Sequence, residues 1–183
     1  MKALHLATAK KGSYRPAMEY IQLLNGHFYA TDANILIKIP FHEVISRALY
    51  EELTAKYGDE MYFKGEDWKN SKMEKGCFFK LLPESNLIQI FDNKKSIGTL
   101  EIISAPDFSK IAKYPNCESI LYKDDIQGEK MDLICFNPDL LSNLYNANGK
   151  KFIKLAFYGT NKMIRVYFQE SEAYGVLMPM LNF

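Results

Sequence analysis

The chain is poor in the residues that most often carry chemistry. Among its 183 residues are three cysteines (Cys77, Cys117, Cys135) and three histidines (His5, His27, His42), all widely separated. No Cys-x-x-Cys or mixed Cys/His spacing occurs, which argues against a structural zinc site. An odd, dispersed set of thiols points to reduced cysteines in a cytoplasmic protein rather than to a disulfide framework. The Gly-rich phosphate loops, the G-x-S-x-G nucleophile turn and the H-E-x-x-H zinc motif are all missing. No apolar run approaches the ~18 residues of a membrane-spanning helix, and MKALHLATAKKGSYRP lacks the long apolar stretch of a secretion signal. Nor does either charge dominate: 23 Lys and Arg against 22 Asp and Glu leave +1, so bulk charge selects neither nucleic acid nor membrane. Together these absences speak against an enzyme and leave no metal or cofactor to assign.

What the chain does contain is aromatic and apolar. Twelve Phe and twelve Tyr in a sequence that is 48% hydrophobic favour a sheet-rich globular fold. KALHLATA reads as a first extended segment, followed by PAMEYIQLLNGHFYATDANILIKIPF. Within the latter, Asn25-Gly26 is a tight hairpin turn and Asp32-Ala33-Asn34 a second one. In that second turn Asp32 suits an acceptor of backbone N–H bonds better than a catalytic acid. HEVISRALYEELTAKYG carries Ile45, Leu49 and Leu53 at helical spacing, predicting a helix over 43–57 that stops at Gly58. Residues 59–76, charged on both signs around the single Trp68, read as a solvated connector and an insertion.

Three strands follow in CFFKLL, NLIQIF and SIGTLEII. Asn137-Pro138-Asp139 is the clearest helix start, with Asn137 as N-cap, Pro138 in the first turn and Asp139 favoured by the helix dipole. Leu140, Leu141, Leu144 and Tyr145 make that helix's apolar stripe, and Gly149 ends it. KFIKLAFYG, MIRVYFQ and YGVLMPM then give three more strands, with Ile153, Leu155, Phe157, Ile164, Val166 and Phe168 on the buried face. A helix followed by an antiparallel meander thus occurs twice. The predicted class is α+β, with helices on one face of antiparallel sheets. Two units are expected, 1–115 (with the insertion about 59–76) and 116–183, sharing a core.

Charge is patterned although its sum is small. Lys2, Lys10, Lys11 and Arg15 precede the first acid, and Lys150, Lys151, Lys154, Lys162 and Arg165 fill an acid-free stretch between Asp139 and Glu170. Lys10, Lys11, Arg15, Lys150 and Lys151 are therefore candidate phosphate contacts. The alternation of the later strands turns Lys154 and Arg165 away from the helices.

Four segments in order resemble the bacterial DNA polymerase III beta subunit, the sliding clamp: YRPAMEYIQLLNGHFYATDANILIK, APDFSKIAKYP, MDLICFNPDLLSNLYNA and AYGVLMPM. The resemblance implies a DNA-clamp-like fold without catalytic activity. It also implies a docking cleft for short apolar peptide motifs of replication proteins. Position by position, the cleft falls on Thr31, Ala33, Asn34, Ile35 and Leu36 on one wall, Pro115 at the floor, and Val176, Met178, Pro179 and Met180 on the other. Where the family has Gly, His and Arg in the turn, this chain has Ala33, Asn34 and Ile35, which removes a charge. Methionines suit such a cleft because they adapt to varied anchors; the plainer reading of Met178 and Met180 is as core residues of the last strand. Duplex DNA is a second implied partner. With two helices expected, neither strongly basic, a ring around DNA would take several copies or another protein. The rival reading is a DNA-independent regulator or decoy that binds clamp-binding peptide motifs.

Overall fold

The first hairpin forms where the sequence places it. In the computed structural model, which describes residues 2–71, 77–104, 113–121, 134–149, 152–159 and 162–180, Asn25 and Gly26 have φ of 47° and 78°. That left-handed pair matches the twist of the strands it joins, β1 (Tyr20–Leu24) and β2 (His27–Thr31). β3 (Ile35–Pro40) completes the meander. α1 (Arg47–Tyr57) starts at Ser46, whose hydroxyl accepts from the Leu49 N–H at 3.3 Å. The predicted start at residue 43 is corrected: Phe41–Glu43 form a separate 3-10 turn, because Ser46 offers the better cap.

β4 (Glu60–Lys64) and α2 (Gly65–Asn70) follow, then β5 (Phe78–Leu81), β6 (Leu87–Asp92) and β7 (Lys95–Glu101). The last elements are α3 (Cys117–Leu121), α4 (Pro138–Asn148), β8 (Ile153–Ala156), β9 (Ile164–Phe168) and β10 (Tyr174–Leu177). α4 has the predicted ends. Asn137 Oδ1 accepts from the Asp139 N–H at 2.9 Å, and Gly149 closes the helix at φ 66°.

Among the described residues the strands form two antiparallel sheets, one of seven in the order β4-β1-β2-β3-β10-β9-β8 and one of three, β5-β6-β7. The α+β, clamp-like class is the observed one. β10 lies between β3 and β9, so early and late parts of the chain share one sheet. The smaller sheet is tied on where Tyr62 and Ile103 exchange backbone bonds of 2.9 and 3.0 Å, with Lys64 pairing Glu101 beside them.

Strand alternation gives the large sheet two buried faces. On the inner one, Ile21, Leu23, Phe28, Ile37, Ile164 and Val166 share a core with Leu49 and Leu53 of α1, Trp68 of α2, Leu144 of α4 and Ile88 and Ile90 of the small sheet. α4 approaches β10 closely because position 175 is glycine. A Cβ there would meet the Leu36 carbonyl oxygen at 2.8 Å and Leu144 at 3.1 Å. On the outer face, Tyr29, Leu36, Tyr62 and Val176 pack under Tyr114, Cys117 and Leu121 of the α3 segment. α3 thus covers the face opposite the other helices.

Several sequence expectations are corrected here. Residues 59–71 are not a solvated connector: Met61, Tyr62 and Phe63 are buried in β4, and Trp68 is buried with its Nε1 donating to the Lys2 carbonyl at 3.1 Å. The flanking charges hid a strand whose middle is apolar on both faces. KALHLATA is not extended either, since Leu4–Ala7 form a 3-10 turn that packs beside α4 and α2. Phe157 lies one residue past the end of β8 and is 41% exposed rather than buried. Tyr145 is only half-buried, while Ala147 joins Leu144 inside. The final strand ends at Leu177, because Pro179 has no N–H to continue the ladder.

Candidate peptide-binding groove

The β2–β3 turn is built by its own side chains. Asp32 Oδ1 accepts from the N–H groups of Asn34 and Ile35 at 2.8 and 2.9 Å. Thr31 Oγ1 donates to the Ile35 carbonyl at 2.7 Å and accepts from the Ala33 N–H at 3.1 Å. These bonds hold Ala33 at φ 78°, a left-handed conformation that a non-glycine residue adopts at some cost. The turn is then fastened to the end of β10, where the Met178 N–H donates to the Asn34 carbonyl at 3.0 Å.

This junction forms one side of a groove of about 200 Å³. Thr31, Ala33, Asn34, Ile35 and Leu36 line it from the turn, Val176 and Met178 from β10, and Pro115 from the segment before α3. Eight of the ten residues expected there from sequence come together. The other two do not line it: Pro179 is half-buried, and Met180 is 57% exposed with its N–H donating to the Cys135 carbonyl at 2.8 Å. Met178, at 44% exposure, is a surface residue of the groove rather than a core one.

Three lining residues were missed. Arg15 was read as a DNA contact, and Met18 and Ile120 were not singled out. Pro16 begins a 3-10 turn over Pro16–Glu19, which brings Arg15 and Met18 to the mouth. The Arg15 guanidinium is exposed and sits 5.2 Å from the Tyr14 ring centroid. Ile120 carried no sequence signal, because α3 has one helical turn and a short apolar pattern.

The other expected phosphate contacts lie elsewhere. Lys10 and Lys11 line a broad hollow with His5, Glu66, Lys69 and Asn143, and Lys11 pairs with Glu66 at 3.0 Å with both side chains exposed. Lys150 and Lys151 lie outside the described residues, as do residues 105–112 of the APDFSKIAKYP segment and the tail 181–183.

α3 is anchored beside the groove by a polar cluster beneath it. Lys38 Nζ meets Glu118 Oε1 at 2.9 Å, and the Tyr29 hydroxyl donates to the same oxygen. The Tyr114 hydroxyl donates to the Tyr29 carbonyl at 3.2 Å. Burial pushes the Cys117 thiol up to about 12, which keeps it protonated and unreactive. Among the described residues no group of three or more His, Cys, Asp or Glu could hold a metal ion. No helix there is long and apolar enough to cross a membrane.

The architecture matches solved structures over nearly its whole length. The beta chain of DNA polymerase III from Streptococcus pneumoniae aligns with 99% of this chain at a TM-score of 0.50 and 12% identity. The beta subunit of DNA polymerase from Streptococcus pyogenes aligns with 98% at the same TM-score and identity. The chain has the sliding-clamp fold. It spans only 62% and 63% of the length of those two clamps. No family model matches the sequence, and no curated protein matches it. Within this sliding-clamp fold the groove sits where β3 meets β10, on the sheet face opposite α4.

Proposed function

We propose that the chain is a non-catalytic docking platform whose groove takes short apolar peptide segments of replication proteins, in a cytoplasmic setting and in association with duplex DNA. The observation that carries this reading is the Met178–Asn34 junction. It joins the two walls into one groove, apolar in its lining and open to solvent, on a sliding-clamp fold. A leucine or phenylalanine side chain would be covered there by Leu36, Val176, Met178 and Ile120. Full burial of such an anchor contributes about 1.5–3 kcal/mol, so two anchors supply about 3–6 kcal/mol, and micromolar binding, at about 8 kcal/mol net, needs further contacts along the peptide backbone.

The test is fluorescence anisotropy with a labelled Ser-Leu-Ser-Leu-Phe peptide, paired with a labelled duplex across a salt series. Saturable peptide binding supports docking, and its absence overturns it. A steep fall of duplex affinity with salt supports the DNA-associated role. Peptide binding with no duplex binding at low salt favours the rival, a DNA-independent regulator that occupies clamp-binding motifs. In this reading a ring around DNA takes several copies or a partner. Light scattering at working concentration reads that directly.

A further inference from the structure

The small sheet has a second face, on the side away from the core. Phe79, Leu81, Ile88, Ile90 and Leu100 pack into the core, so strand alternation turns Phe78, Lys80, Gln89, Phe91 and Thr99 the other way. Register sets Phe78 beside Phe91, Lys80 beside Gln89 and Gln89 beside Thr99. The two phenylalanine rings stack with centroids 5.0 Å apart and planes 6° from parallel. Phe78 nevertheless stays 48% exposed: Phe91 covers one side of its ring and leaves the other to solvent.

Cations flank this pair. Lys80 follows Phe78 two positions along β5, ~6.8 Å on. Lys94 lies in the β6–β7 turn and Lys95 opens β7, at the end of the sheet where the two rings stand. All three are exposed. The ion pairs among the described residues engage other cations, Lys2, Lys11, Lys38, Arg47 and Lys64. Of the described acids on this sheet, Asp92 stands across from Lys95, while Glu84 and Glu101 lie at the opposite end, Glu101 paired with Lys64. Residues 72–76 and 122–133, which include further acids, lie outside the described residues. The turn adds an independent sign. Asn93 and Lys94 have φ of 45° and 73°, close to the 47° and 78° of Asn25 and Gly26. The first hairpin meets that geometry with glycine, whereas this one holds a lysine whose Cβ makes it costly. A cation kept against the backbone's preference points to a use for its charge.

We propose that the outer face of β5, β6 and β7 binds single-stranded DNA, with a base stacked on Phe78 and the adjoining phosphates on Lys80, Lys94 and Lys95. An exposed aromatic face accepts any base, and nearby cations follow the backbone. A duplex keeps its base faces stacked on one another and offers none to Phe78. Gln89, in the middle of the face, donates its Nε2 hydrogen to Ser96 Oγ at 3.0 Å. The face therefore reads stacking and charge rather than base edges, and tolerates sequence. It lies on the small sheet, apart from the groove at β3 and β10, and stands whether or not the groove takes peptides. The choice of DNA over RNA rests on the proposed function.

The experiment titrates a labelled 12-base oligothymidine into the full chain and into F78A, F78W, K94G and K80Q/K95Q, from 25 to 150 mM NaCl. A 12-unit abasic strand, a 12-base oligouridine and a 12-base-pair duplex are titrated alongside, and thermal melts check folding. F78A should bind the oligothymidine at least about fivefold more weakly, while F78W should retain affinity. The abasic strand should bind at least about fivefold more weakly than the oligothymidine and respond little to F78A. In K94G the slope of log affinity against log salt should flatten by about 0.7, while Tm rises by about 2–4 °C as the turn relaxes. Absence of oligothymidine binding at 25 mM NaCl overturns the proposal. So does unchanged binding in folded F78A, an abasic strand that binds equally well, or a slope unchanged in both K94G and K80Q/K95Q. Oligouridine bound tenfold tighter than oligothymidine would make the face an RNA surface and overturn it too. A duplex that binds while the oligothymidine does not leaves the duplex-associated role standing and overturns this proposal. Oligothymidine binding lost in F78A, with no duplex binding, supports this proposal and removes that role.

Discussion

Met178 and Met180 are two residues apart and chemically identical, yet the structure gives them different surroundings, so their single charged variants should separate. Met178 lines the groove, while Met180 lies beyond it with its main chain bonded to Cys135. In M178E an apolar anchor loses contact with the thioether, and a carboxylate must be desolvated as the anchor arrives. Mutational scales put the second effect at about 1–3 kcal/mol, and the lost contact adds roughly 1 kcal/mol. The sum, about 2–4 kcal/mol, is roughly a 30- to 1000-fold loss of affinity. M180E should change affinity less than about twofold, because its carboxylate stays in water and its backbone bond is independent of the side chain.

Anisotropy with the labelled peptide reads the affinities. Thermal melts check that both variants fold, which exposures of 44% for Met178 and 57% for Met180 lead us to expect. Equal losses in the two variants would refute the geometry, since the whole Met-Pro-Met segment would then contact the peptide. Unchanged binding by a folded M178E would refute the groove itself.

Other consequences of the packing are measurable without a ligand. G175A should lower stability by about 1–3 kcal/mol, a fall in Tm of roughly 2–4 °C per kcal/mol for a chain of this size, since its methyl would press on Leu36 and Leu144. Partial burial of the Glu43 carboxyl opposes ionisation, but hydrogen bonds from Lys2, Ser171 and the Glu172 amide outweigh it and hold the group below its ordinary value of 4.5. A lowered folded value contributes stability above pH 4.5 that is lost as pH falls through the folded value. The urea midpoint should therefore drop on acidification towards pH 3, and E43Q should drop less steeply. With an aromatic disulfide reagent at pH 8, exposed Cys135 should react fastest, half-buried Cys77 more slowly, and Cys117 only on unfolding. Fast labelling of Cys117 would mean that α3 leaves the sheet readily.

Local chemistry made much of the fold legible. Asn25-Gly26, Asp32, the Asn137-Pro138 start and Gly149 each specify their own backbone, so their elements emerged with nearly correct ends. The elements that were missed depend on neighbours distant in sequence. β4 looks like a charged connector until β1 and Ile103 supply partners on its two sides, and Trp68 looks like a lone aromatic until Lys2 offers its carbonyl. α3 is too short for a helical stripe, and what fixes it is Glu118 reaching Lys38 and Tyr29, 80 and 89 residues away.

The groove shows the same division. Its turn and its last strand were readable because each is a compact motif, and the resemblance to clamps set them on facing walls. Arg15 was read by charge alone and assigned to phosphate, although Pro16 turns the chain so that its guanidinium stands at the groove mouth. Sequence reports that a residue is basic; only the fold decides which surface receives the charge. The same reasoning applies to Arg165, whose neighbours in sequence are ordinary strand residues and whose neighbour across the sheet is Val176. The charge this chain lacks at Ile35 is offset at the mouth of the groove, where Arg15 stands exposed. Substituting Arg15 by Glu should accordingly weaken an acidic peptide while sparing a neutral one, and equal weakening of both peptides would show that Arg15 serves through packing alone.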